Sequence, residues 1–303
     1  MIYDIITVGG GPAGLTAAIY ARRAGKSVLV IEKAAFGGQI TFSPRVENIP
    51  GFESVTGNEF ADALVGQALG QGVEIEVGEV TRIIDGTPKT VTTDSGEFYT
   101  HAVIIATGAK HRRLGLCGEE ELIGQGISFC AVCDGAFFAG KHVAVIGGGN
   151  SALQEALQLS QIASKVTLVQ NLDFLTGEKM LSEALMQKDN VEILLSKTVS
   201  RVIGDGSLEG IEIRDEKSGE SARIDVDGMF VAIGLVPQNE PFADIITLDA
   251  RGYADYGEDC TAERAGIFVA GDCRRKNVRQ VTTAASDGAI AALAASAYVE
   301  SLS

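Results

Sequence analysis

Residues 3–8 form an almost unbroken apolar run, and a glycine turn follows. Residues 12–23 then read as a helix that Gly25 ends, and 27–32 is a second apolar run. A buried strand, a helix and a buried strand in this order predict a βαβ unit whose strands are parallel neighbours. Over 79–100 the pattern changes to alternation of polar and apolar residues, with turn signals at Asp85-Gly86 and Asp94-Ser95-Gly96. That segment predicts a small antiparallel meander. Residues 101–106 return to a buried strand, which stops at Thr107-Gly108.

The plan then starts again. An apolar strand over 142–146 leads into Gly147-Gly148-Gly149-Asn150-Ser151-Ala152, a helix over 152–163 and strands over 166–169 and 191–195. A hairpin region spans 210–226, and 229–233 ends at Gly234 as 101–106 ended at Gly108. Val8 to Gly14 therefore matches Ile146 to Ala152, and the chain carries two copies of one α/β plan. A strand over 266–270 and an alanine-rich helix over 282–302 close it. At 303 residues the length fits about two domains.

Composition narrows the classes. Hydrophobic residues at 46% and charged residues at 21% exclude a mainly disordered chain. A formal net charge of −15 makes nucleic acid and anionic membrane surfaces poor partners, because both need clustered cations. The N-terminus shows no signal-peptide pattern, and no apolar run is long enough to span a bilayer, so a cytoplasmic protein is expected. Five cysteines, an odd number, do not suggest a structural disulfide framework there.

Gly9, Gly11 and Gly14 make a G-x-G-x-x-G between a strand and a helix that starts at Pro12 and Ala13. The first glycine permits the tight turn, the second lets the backbone approach a pyrophosphate, and the third lets helix and strand pack closely. Glu32 ends the second strand, where a carboxylate can accept hydrogen bonds from a ribose diol. Gly147, Gly149 and Ala152 form a second fingerprint, with Asn150 and Ser151 inside it. The position that corresponds to Glu32 is Gln170, and residues 168–177 contain no Arg, Lys or His. A 2′-phosphate carries about two negative charges and calls for a cation, usually Arg. NADH is thus chemically easier to accommodate here than NADPH, and a site that binds neither is the competing reading.

Cys130 and Cys133 make a CxxC just before the second βαβ unit, followed by Asp134-Gly135. Two thiols at this spacing can close a small reversible disulfide, and Asp134 can do the accompanying proton work if its pKa is raised. A zinc site needs four ligands, and Cys117, Cys260 and Cys273 form no second pair. Redox chemistry is the better reading.

These residues together resemble the low-molecular-weight, bacterial-type thioredoxin reductases, which are pyridine nucleotide–disulfide flavoproteins. The motifs carrying the resemblance are Gly9 to Gly14, Gly37-Gly38-Gln39, Val46-Glu47-Asn48, Ala106-Thr107-Gly108, Cys130 to Gly135, Gly147 to Ala152, Gly271-Asp272 and Arg279 to Ala285. The resemblance implies two Rossmann-like dinucleotide-binding domains, one inserted in the other: 1–113 with 241–303 for FAD, and 114–240 for a nicotinamide nucleotide and the CxxC. It implies Glu32 on the adenosine ribose, Gly38, Gln39 and Asn48 along the flavin, Asp272 on the ribityl chain, and Gln280 and Val281 over the isoalloxazine. Val80, Ala106, Thr107, Gly108, Gly271 and Arg279 join the same cofactor set. Cys133 would face the flavin, Cys130 would attack thioredoxin, and Asp134 would be the acid–base residue. Members are homodimers that rotate one domain against the other. Members that use NADPH carry a His-Arg-Arg cluster where this chain has Gln170-Asn171-Leu172, and some relatives without it take electrons from ferredoxin. A dithiol oxidase, a reductase feeding a peroxiredoxin through a glutaredoxin-like partner, and a non-catalytic flavin redox sensor are further readings of the same scaffold.

Overall fold

A computed structural model describes residues 1–43 and 46–302. The chain forms two compact units. The first holds Met1–Thr41, Ile49–Lys110 and Val236–Ser303, and the second holds Phe42–Asn48 and His111–Leu235.

The chain opens with β1 (Ile2–Val8), α1 (Pro12–Arg23) and β2 (Val28–Glu32), the βαβ unit that the hydrophobic pattern predicts. Next come α2 (Gly57–Gly70), β3 (Glu74–Val77), β4 (Val80–Ile84), β5 (Lys89–Thr93), β6 (Glu97–Ile105) and β7 (Ala109–His111). The strand pattern does not announce α2. A capping box starts it: the Thr56 hydroxyl accepts from Glu59 N–H, and the Glu59 carboxylate accepts from Thr56 N–H.

The meander over 79–100 and the buried strand over 101–106 share one strand, β6. Residues 97–100 pair antiparallel with β5, whereas 103–105 pair parallel with 267–269, and β1 runs parallel along the other edge. The change from alternation to a solid apolar run marks where both faces become covered, not where a strand ends.

The chain continues through α3 (Glu119–Leu122), β8 (Ile127–Ser128), α4 (Ala131–Asp134), β9 (His142–Ile146), α5 (Asn150–Leu159), β10 (Lys165–Val169), α6 (Lys179–Met186) and β11 (Val191–Leu194). Then follow β12 (Lys197–Gly204), β13 (Leu208–Asp215), β14 (Ser221–Asp225), β15 (Gly228–Val231) and β16 (Leu235–Pro237). The parallel sheet here runs β11-β10-β9-β15-β8. The hairpin expected at 210–226 is β13–β14, and β12 adds a third antiparallel strand. β17 (Ile267–Val269) and α7 (Val281–Glu300) complete the first unit. Of the four crossings between units, two fall inside β7 and β16.

Each parallel sheet is covered on both faces, which is why its strands are apolar throughout. In the first unit Ile5, Val30 and Ile104 pack with α1 and α7, while Ile6, Ile31 and Ile105 pack with Phe242, Ile245 and Ile246. In the second, Val143, Val145 and Leu168 pack with Leu153, Ala156 and Leu159 of α5, while Ala144, Ile146 and Val169 pack with Val199 and Ile211. Each fully buried Ile or Leu contributes about 1.5–3 kcal/mol. No helix among the described residues is long and apolar enough to cross a membrane.

Candidate active site and dinucleotide cradles

The first cradle is set by backbone contact. Gly9 has φ 110°, and a Cβ there would overlap the Ala106 carbonyl oxygen. A Cβ on Gly14 would overlap the Gly9 carbonyl oxygen, so α1 starts hard against the turn. Gly11 is the N-cap, Pro12 opens α1, and the first turn holds no acid, so its amide groups are left for an anion. Glu32 braces the turn: its Oε2 accepts from Gly10 N–H at 2.7 Å and its Oε1 from Ala34 N–H at 3.0 Å. Gly38 begins the short turn that carries Gln39, with its own Cβ position 3.1 Å from the Gly11 Cα.

Distant segments meet the same cradle. A Cβ on Gly271 would come within 2.8 Å of the Ala13 Cβ, which places Asp272 beside the start of α1. Asp272 is largely buried, and burial pushes its carboxyl pKa up. Its Oδ1 has no hydrogen-bond partner among the described residues, and Lys276 Nζ lies 3.9 Å away. A polyhydroxyl chain would satisfy that oxygen, so the residues present fit FAD. Arg279 stacks over the Tyr253 ring at 4.3 Å, and Gln280 and Val281 open α7. Thr107 donates to Asn239 Oδ1 at 3.2 Å, Gly108 has φ 68°, and Val80 and Ala106 are buried. Asn48 belongs to the segment assigned to the second unit.

The second cradle repeats the first. Gly147 has φ 130°, and a Cβ there would sit 2.6 Å from the Ala232 carbonyl oxygen. Gly149 is the N-cap of α5, and Asn150, Ser151 and Ala152 form its first turn. Gln170 is 4% exposed and packs over Gly148 as Glu32 braces Gly10. Its amide donates to the Phe174 carbonyl at 3.2 Å, so its side-chain oxygen is the group left to accept. Thr176 and Gly177 N–H both donate to the Gly148 carbonyl and fold the loop back over it. Several cations of this unit are paired with acids: Lys165 with Glu192, Lys179 with Glu183, Lys197 with Asp215 and Lys217 with Asp173.

Cys130 and Cys133 form a disulfide across α4. Cys130 is the N-cap, and its sulfur accepts from Cys133 N–H at 3.2 Å. Asp134 ends α4; burial pushes its carboxyl pKa up, and a hydrogen bond from Ser128 pulls it back. Ser128 Oγ donates to Asp134 Oδ2 at 2.6 Å and accepts from Cys130 N–H at 3.1 Å. Both residues line a cavity of about 290 Å³ with Gly126, Phe137 and Phe138.

Several residues that take part escape the sequence motifs. Ser128 is one, because a contact six residues apart across a strand–helix turn follows no period. Asp287 is another: on α7 it accepts from Gly271 N–H, Arg274 and Lys276, all at 3.0–3.3 Å, and so holds the turn that carries Asp272. An acid in the middle of an alanine-rich helix is the available signal. Glu155 on α5 is pushed up to about 8 by burial, and His111, stacked on Phe129 at 4.8 Å, is pushed down to about 4. Cys260 and Cys273 are buried, while Cys117 is exposed.

A family model for pyridine nucleotide-disulphide oxidoreductases matches residues 3–288. The chain belongs to that family, and it is an oxidoreductase acting on a disulfide, of a family that works with FAD and a pyridine nucleotide. More narrowly, it is 42% identical over 303 residues to the thioredoxin reductase of Listeria innocua, covering 99% of this chain and 95% of that protein. It is equally identical to the thioredoxin reductase of Bacillus subtilis, covering 99% and 96%. The crystal structure of thioredoxin reductase from Streptococcus pyogenes superposes with a TM-score of 0.94 at 38% identity, covering 99% of each chain.

Proposed function

We propose that this chain is an FAD-dependent thioredoxin-disulfide reductase that takes its electrons from NADH in preference to NADPH. The observation that carries the reading is the Cys130–Cys133 disulfide next to the buried Asp134, on a chain with two dinucleotide cradles. The first unit holds FAD through Gly9, Gly11, Gly14, Glu32 and Asp272, and the second holds the nicotinamide nucleotide through Gly147, Gly149 and Gln170. When bound, FAD supplies the two electrons that reopen the Cys130–Cys133 disulfide.

The residues of the chain do the rest. The Cys133 amide stabilises a thiolate on Cys130, the sulfur at the N-cap. That thiolate attacks one sulfur of the thioredoxin disulfide. The old S–S bond breaks, and the departing thioredoxin sulfur takes the proton of Asp134. The Asp134 carboxylate then takes the proton of the Cys133 thiol. Cys133 attacks the Cys130 sulfur, the chain disulfide re-forms, and the second thioredoxin sulfur leaves as a thiolate. Asp134 ends protonated, as it began.

The donor preference rests on charge. No Lys or Arg lies in 168–178, and Lys179, Lys197 and Lys217 are each paired with a carboxylate. A 2′-phosphate would meet no cation from this stretch, whereas the Gln170 oxygen can accept from a ribose hydroxyl. An anaerobic titration followed by flavin absorbance tests this. NADH is expected to bleach the flavin at least about tenfold more effectively than NADPH, the worth of one missing charge-assisted contact. Equal or better bleaching by NADPH overturns the preference. Bleaching by neither, with dithionite still effective, turns the reading toward ferredoxin as donor. A homodimer and a cytoplasmic location belong to the same proposal; sedimentation as a monomer, or recovery outside the cytoplasm on cell fractionation, would count against them.

A further inference from the structure

We infer that Ser128 is a positioning residue of the dithiol centre, which fixes where the catalytic proton sits on Asp134. The inference rests on the proposed acid role of Asp134.

Ser128 has one hydroxyl proton, and it goes to Asp134 Oδ2 at 2.6 Å. The lone pairs of the same oxygen receive Cys130 N–H at 3.1 Å. One hydroxyl thus ties the backbone of the attacking cysteine to the carboxyl group of the acid. Because Oδ2 already accepts the Ser128 hydrogen bond, the acidic proton of Asp134 is favoured on Oδ1. Oδ1 is buried and has no hydrogen-bond partner among the described residues. An unpaired buried carboxyl oxygen is costly, and a proton carrier is the use that such an atom has beside a disulfide.

Near pH 7 the other titratable groups on the packed elements carry little charge. Glu155 on α5, which packs against α4, is pushed up to about 8 by burial. His111, stacked on Phe129 next to Cys130, is pushed down to about 4. Near pH 7 both are predominantly neutral. The acidity of Asp134 is governed by burial, which raises its pKa, and by the Ser128 hydrogen bond, which lowers it.

Transfer to the thioredoxin sulfur needs Asp134 protonated, so the rate falls as pH rises through its pKa. Removing the Ser128 hydroxyl takes away the influence that lowers that pKa, and the falling limb moves to higher pH. Position is lost at the same time, and a hydrogen bond to a charged group is worth about tenfold in rate.

The test is a single-turnover reaction of dithiol-reduced, FAD-loaded protein with oxidised thioredoxin across pH, for Ser128→Ala, Ser128→Thr and Asp134→Asn. Flavin content and thiol count confirm that each variant is folded. Ser128→Ala is expected to lower the plateau about tenfold and shift the falling limb upward, with Ser128→Thr keeping the parental profile. A Ser128→Ala limb at the parental pH, with the limb abolished in Asp134→Asn, overturns the role of Ser128 and leaves Asp134 as the acid. A parental limb in Asp134→Asn overturns the acid role itself, and the inference with it.

Discussion

Cys133→Ser is expected to lose thioredoxin reduction by at least about 10³-fold while the protein keeps its FAD. The loss is this large because the step needs a thiol held within bonding reach of Cys130. The second attack must come from a sulfur that reaches Cys130, and Cys133 is the residue that reaches it, as its disulfide with Cys130 demonstrates. Cys260 and Cys273 cannot substitute. Both are buried in the first unit, and burial pushes their thiols up to about 12 and about 11, so they stay protonated at neutral pH. The variant should also accumulate a mixed disulfide, because Cys130 can still attack thioredoxin and nothing then releases it. Non-reducing mass analysis reads that adduct directly. Parental turnover by Cys133→Ser would sink the dithiol mechanism.

Gly14→Val is expected to abolish FAD binding and to cost about 3 kcal/mol or more of stability. Even one methyl at Gly14 overlaps the Gly9 carbonyl oxygen and comes within 3.1 Å of Thr7 Cγ2. Neither neighbour can retreat. Gly9 is held by its hydrogen bond to the Ile31 carbonyl at 2.8 Å, and Thr7 is fully buried in the central strand. The helix must therefore move off the turn, and with it the amides that would face a pyrophosphate. The ratio of flavin to protein absorbance and a thermal melt with added FAD check this. Full flavin occupancy in the variant would show that close packing of α1 is not what builds the cradle.

Much of this molecule is legible in one dimension, and for an identifiable reason. Buried parallel strands must be apolar on both faces, so β1, β2, β9 and β10 stand out as solid runs. The glycines between strand and helix stand out because backbone contacts such as Gly9 with Ala106 leave no room for a side chain. The CxxC and its acid are adjacent in sequence because the chemistry needs them within one helical turn. In each case the physical requirement is local, and local requirements leave local marks.

What escaped the sequence required distant segments to meet. β6 read as two elements because its neighbour changes along its length from β5 to β17, an event outside the strand itself. Asp287 reaches Gly271 from a helix that begins ten residues later, and Ser128 reaches Asp134 around a corner. The lack of a cation beside Gln170 was visible in sequence, but the pairing of Lys197 and Lys217 with acids was not. The two-fold α/β plan, the dinucleotide cradles and the redox pair can all be read along the chain, since each rests on the spacing of neighbouring residues. Which oxygen of Asp134 lacks a partner among the described residues, and which buried acid holds the Asp272 turn, are fixed by folding, because they depend on hydrogen bonds between residues that only the folded chain brings together.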